Sequence, residues 1–337
     1  MKLIHLFTIL LLFVFSSCSS DIKSDDFKTD SSGMRGEVLI FMDEFYWERE
    51  AGQEIQKYFG RNLHGTPQAE PILEIRNYPL KNFNRNHKAN RNIVYVKFDK
   101  ELSKLSHQIL RDKWVKNQLY VEIKSPSVED FIAFMDKNGI TIVEMFLLEE
   151  RKRVAAYFNS LKSEPAIKKI EEKHKLRVVF PKDYNVGENK TDFVWATNER
   201  MITRQGRTFD LQQGFFVYHY PYTSDSTFHL SKLIEKRNSV LKKHVKGGTD
   251  DVYMTTQMMN GYQPKADTVN LNGKFAVEIR GQYRMENDFM GGPFISLTTL
   301  DEKNNRVITV EGYVFAPNSP KRELIRDLEA ILYSLEF

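Results

Sequence analysis

Two carboxylates and an arginine stand where neighbouring strands could bring them together: Glu278, Arg280 and Glu311. The run 274–280 reads as a strand with Phe275, Val277 and Ile279 on one face and Glu278 and Arg280 on the other. On the run 306–315, Glu311 shares a face with Thr309 and Tyr313. If the two strands are neighbours, the three side chains meet beside Gly291 and Gly292, a loop whose missing Cβ atoms would let backbone N–H groups approach a ligand. Two carboxylates and an arginine suffice for acid–base work or for gripping a polar ligand. A cross-strand ladder of ion pairs on a partly solvated face uses the same residues and is the commoner arrangement.

Other chemistries find less support. The histidines at 64, 87, 107, 174, 219, 229 and 244 are scattered, with no HExxH or paired spacing, so no metal site and no cofactor are expected. No nucleophile elbow, Walker loop or dinucleotide fingerprint occurs. Lys246-Gly247-Gly248-Thr249 follows a helical pattern instead of preceding one and reads as a helix end. The chain of 337 residues balances 49 basic against 45 acidic side chains, too even for a polybasic surface. The stretch from Lys81 to Arg91, near Phe83 and Tyr78, could still meet anionic headgroups or glycans. Nucleic acid is not an expected partner.

The N-terminus carries an address. Lys2 and the apolar run Leu3 to Phe15 have the form of an export signal too short to span a bilayer, and Cys18, the single cysteine, follows Ser16-Ser17. The string is similar to the lipobox of bacterial lipoproteins, with Phe15 where Leu is usual. That implies cleavage after residue 17, acylation of Cys18 and a membrane partnership through the lipid. No thiol then remains for a disulfide. Ser19 directly after Cys18, in place of Asp, points to the outer rather than the inner membrane of the cell envelope and leaves the leaflet open.

Hydrophobic spacing lays out the rest. Residues 1–17 are the signal, 18–35 a flexible tether, 36–139 a first half, 140–174 connecting helices and 175–337 a second half. In the first half, strands at 37–43, 72–78, 92–98 and 118–123 and helices at 45–59 and 102–115 give β-α-β-β-α-β, a ferredoxin-like order. A helix from Ser127 is expected to stop at Gly139, and one of about 20 residues to follow from Ile140. The second half shows seven strand patterns, from Leu176–Phe180 to Arg306–Phe315, and helices at 230–245 and 320–333. The expected class is α+β: two sandwich halves, each a mainly antiparallel sheet with helices on one face.

Several strings recur together: Gly65-Thr66-Pro67-Gln68-Ala69-Glu70-Pro71, Arg91-Asn92-Ile93-Val94, Tyr218-His219-Tyr220-Pro221-Tyr222, Glu278-Ile279-Arg280-Gly281, Met290-Gly291-Gly292-Pro293-Phe294, Glu311 to Pro317, and Lys321-Arg322. With the lipobox they resemble the domain of unknown function 4837 family of exported Bacteroidota lipoproteins. The resemblance implies location and supplies no activity or catalytic residue. The functional expectation is a lipid-anchored envelope protein that binds an envelope protein, glycan or other polar ligand between its halves. The alternative is an envelope hydrolase acting on glycan or peptidoglycan through Glu278 and Glu311.

Overall fold

A computed structural model describes residues 28–204 and 206–337. The expected signal, Cys18 and most of the tether lie outside the described residues. The chain is α+β, and among those residues it has seven α-helices and thirteen strands in two sheets. From Thr29 the segment expected as tether is docked: Ser31 and Ser32 donate to the carbonyls of Lys116 and Ala89, and Arg35 pairs with Asp327 and Glu323.

The first half contains β1 (Glu37–Phe41), α1 (Glu44–Trp47), α2 (Glu50–Phe59), β2 (Glu74–Tyr78), α3 (Arg85–Lys88), β3 (Asn92–Phe98), β4 (Ser106–Arg111) and β5 (Leu119–Ser125). Its strands lie in the order β2-β1-β3-β5-β4, with only the β4–β5 pairing antiparallel. The ferredoxin-like order is therefore not formed in this half, and its sheet is mainly parallel. The difference arises at Leu102–Val115, where helix-like spacing belongs to a largely exposed edge strand that pairs with β5. Tertiary pairing decides such short segments. Val38, Ile40, Val94, Val96, Val121 and Ile123 alternate onto the face covered by α2 and the long helix that follows. Leu39, Phe41, Ile93 and Tyr120 face the other way, into a smaller cluster with Tyr78, Phe83 and Trp114.

That long helix, α4 (Val128–Ser160), runs through Gly139 without a break for 33 residues, about 50 Å at 1.5 Å per residue. Ser127 caps it, its hydroxyl accepting from the Asp130 N–H. Gly139 is a contact point and not a stop: a Cβ there would lie 2.7 Å from the Tyr58 ring. Phe131, Met135, Val143 and Phe146 of α4 belong to the first core, whereas Val154 and Phe158 belong to the second. Among the described residues no helix is long and apolar enough to cross a membrane.

The second half adds α5 (Glu164–His174), β6 (Asn185–Asn189), β7 (Phe193–Arg204), β8 (Arg207–Pro221), α6 (Leu230–His244), β9 (Met254–Thr256), β10 (Lys265–Leu271), β11 (Lys274–Met285), β12 (Gly291–Asp301), β13 (Arg306–Phe315) and α7 (Arg322–Leu332). Its antiparallel sheet runs β10-β11-β12-β13-β8-β7-β6, with β9 also on β11. Leu176, Val178 and Phe180 fill the core, but their segment forms only isolated bridges instead of the expected strand. Both faces of this sheet are covered, unlike the one-sided packing expected. Ile308, Val310 and Val314 meet α7 and α5, while Phe216, Tyr218 and Tyr313 meet α6. Burial of nearly every residue along β12 and β13 follows from this double cover.

Candidate functional site

The expected trio does not assemble. The register aligns Glu278 with Leu297 and Val310, and Glu311 with Ser296 and Phe216, so the two carboxylates lie on opposite faces of the sheet. Glu278 and Arg280 face α7: Arg280 bonds Glu278 at 2.6 Å and Glu329 at 2.7 Å, and the Tyr333 hydroxyl donates to Glu278 at 2.7 Å. Glu311 faces α6 and is held by Arg237. The Gly291-Gly292 pair is not a ligand loop either, since it starts β12 and the space a Gly292 Cβ would take is filled by the Val314 carbonyl.

What the α7 face does form is one wall of a cleft of about 750 Å³ between the two halves. One wall comes from α4, where Ile140, Glu144, Leu148 and Arg151 recur at helical spacing on one stripe. Ile140 and Leu148 are 52% and 37% exposed, apolar surface left open to the cleft. A second wall is the loop bearing Arg61 and His64, the third is β10 with Arg280 of β11, and α7 contributes Arg322, Arg326, Glu329 and Tyr333.

Several arginines here are committed to structure. Arg280 sits between Glu278 and Glu329; Arg326 bonds Glu323 at 2.6 Å and the Ile72 carbonyl at 2.8 Å; Arg322 bonds Glu323 and the Pro71 carbonyl. Burial raises the Glu329 carboxyl, and Arg280, Arg326 and Arg151 more than offset it, holding its pKa below the usual carboxylate value. Burial lowers the pKa of His64, which is therefore neutral near pH 7 with Nε2 donating to the Gln263 carbonyl at 3.0 Å. Arg151 and Arg61 are different. Among the described residues neither forms an ion pair; Arg151 lies over the Tyr333 ring at 3.6 Å. Glu144 and Asp267 of the lining likewise have no ion-pair partner among those residues. The cleft lining thus includes charges of both signs that are in no direct ion pair, with Arg151 also near enough to Glu329 to favour its charged form.

The two halves are locked around it. Gly65, at φ +93°, packs on the backbone of Gly281. Glu70 accepts from the backbone N–H groups of Lys321 and Arg322 at 2.8 to 2.9 Å, so a carboxylate of the first half caps α7 of the second. Glu70→Ala is expected to lower the stability of the full chain by about 1–2 kcal/mol, as loss of a charged cap does. Urea unfolding measures it, and an unchanged midpoint would show that water replaces the cap.

Sequence reasoning missed Arg61, Arg151, Glu329 and Tyr333. Nothing in the local pattern marks Arg151, whose place in the cleft is fixed by the packing of α4 against α7 and the Tyr333 ring. Residues 163–334 match the family model described as Domain of unknown function (DUF4837). The chain belongs to that family. Residues 31–159 match a second model, Domain of unknown function (DUF8532), so the DUF4837 segment supplies the β10, β11 and α7 walls and the other segment supplies Arg61, His64 and α4. No curated protein matches the sequence. Two solved structures, a mutant of the protein Mog1 and the Saccharomyces cerevisiae Ran-binding protein Mog1p, are each 10% identical, with TM-score 0.30, over 48% of this chain and 89% of theirs. At that score the likeness indicates nothing about role.

Proposed function

We propose that this DUF4837 member is a lipid-anchored envelope protein that binds a polar ligand with at least one negative group in the cleft between its halves. The observation that carries the reading is the pair Arg61 and Arg151, which line the cleft and, among the described residues, form no ion pair. A guanidinium placed so is available for bidentate contact with a carboxylate or phosphate. Catalysis by Glu278 and Glu311 is not part of the proposal, because the sheet separates them.

A panel of small carboxylates, phosphates, sulfated sugars and short peptides tests it by thermal shift of the full chain. A ligand at 100 times its Kd stabilises by about 2.7 kcal/mol, and the Arg61→Ala, Arg151→Ala double variant is expected to lose that shift. No shift from any probe, or a shift the double variant retains, would remove the cleft from consideration. The anchor is tested separately. Cys18→Ala is expected to move the protein from membrane to soluble fractions or stall it uncleaved, and normal cleavage with unchanged membrane retention would contradict lipidation.

A further inference from the structure

The cleft contains an unpaired strand edge. Asp267, Thr268, Val269 and Asn270 of β10 all line it, although successive side chains of a strand point to opposite faces. Four consecutive lining residues mean that the free edge of β10, and not one of its faces, borders the cavity. Among the described residues β10 is the terminal strand of its sheet and pairs only with β11. Asn272 and Gly273 join the two strands with φ of +53° and +88°, a two-residue type I′ turn. The residues flanking such a turn, Leu271 and Lys274, form a hydrogen-bonded pair, and the alternation of an antiparallel ladder then fixes the rest. Lys265, Asp267 and Val269 bond inward to β11; Ala266, Thr268 and Asn270 direct N–H and C=O outward. These three are exposed, and among the described residues their backbone groups have no partner on the outer side.

We infer that an extended peptide adds to β10 as a further strand, with its carboxylate held by Arg61 and Arg151. This rests on reading the cleft as a ligand site and names the ligand class. Outward donor–acceptor sets recurring every second residue, about 6.8 Å apart, match the repeat of a peptide backbone. The three residues span room for a segment of about five. The remaining surfaces suit the same occupant: Ile140 and Leu148 can take apolar side chains, and Asp267 and Glu144 can meet a cation while the arginines take the anion. A small inorganic anion would leave the edge and the apolar stripe unused.

The test is affinity selection of a pooled library of free-carboxylate pentapeptides on the immobilised full chain in detergent. Peptides should be retained, and their C-terminal amides should bind at least tenfold more weakly, as should the free acids to Arg151→Ala. Thr268→Pro removes one outward N–H without touching the ladder to β11, a change an edge strand tolerates. It should melt within a few degrees of the parent and lose at least tenfold in peptide affinity. If Thr268→Pro fails to fold, peptides N-methylated at alternate amides make the same comparison from the ligand side. Equal binding by N-methylated peptides and their parents, or undiminished binding to a folded Thr268→Pro, would overturn strand addition. Retention of no peptide, while small anions still shift the melting point through Arg151, would overturn the peptide inference and leave the cleft as a ligand site. Silence from every probe would end both.

Discussion

Glutamine in place of Glu311 lowers the unfolding free energy by about 3–5 kcal/mol, the largest loss expected from a polar substitution in this protein. Its carboxylate is fully buried and takes three contacts of 2.7 to 3.0 Å from Nε and Nη2 of Arg237, whose own side chain is 2% exposed. Arg237 also donates to the Thr256 hydroxyl at 2.9 Å and lies over the Phe294 ring at 3.9 Å. Burial raises the Glu311 carboxyl above the usual carboxylate value, and Arg237 offsets only part of that rise. Removing the negative charge leaves a buried guanidinium without its counter-charge in the apolar layer between α6 and the sheet. The asymmetry provides a second arm: Arg237→Met with Glu311→Leu removes both charges together and is expected to be far less harmful than Glu311→Gln alone. Guanidinium chloride unfolding of the three proteins decides it. A loss below about 1 kcal/mol in Glu311→Gln would mean that the pair is hydrated.

Gly292→Ala is expected to cost about 3 kcal/mol or to prevent folding, an overpacking effect at the top of its usual range. An ideal Cβ at that position would lie 2.0 Å from the Val314 carbonyl oxygen, on a neighbouring backbone that cannot swing aside as a side chain can. Relief requires β12 and β13 to separate where both are buried. Gly187→Ala is the matched control, since nothing lies within 4 Å of its Cβ position. If both variants melt together, β12 has more freedom at its start than its packing implies.

In the second half β11, β12 and β13 were legible because they are long and interrupted by plain turns, and β12 with β13 form the expected hairpin. Leu176–Phe180, by contrast, forms no strand, and β6 and β10, short and little buried, left no legible pattern. Which face each residue takes also followed from alternation. What alternation cannot supply is the register between strands, and Glu278 and Glu311, each placed correctly on its own strand, end on opposite sides because of it. The first half misled for a different reason: Leu102–Val115 is short and amphipathic enough for either state, and its pairing with β5 is a contact absent from local pattern. The buried ion pair did leave a trace. Arg237 interrupts the apolar stripe of Leu230, Leu233, Ile234 and Leu241, and a cation in that position needs a buried anion to answer it. The cleft left none, because its walls come from segments far apart in sequence, such as the loop bearing Arg61 and His64 and the strand bearing Asp267 to Asn270.

Helix α4 also bears on how the molecule can be divided. The two family matches end and begin at residues 159 and 163, in its last turn and just beyond it. Yet Val154 and Phe158, on the first side of that line, are buried in the core of the second. Arg35 and Glu70 likewise serve α7 from the far side. Separated there, the first piece would present an apolar helix end to water and the second would lack part of its interior. The seam between the two sequence families is not a seam in the folded protein: like two halves of one interior, each supplies core and cleft wall to the other.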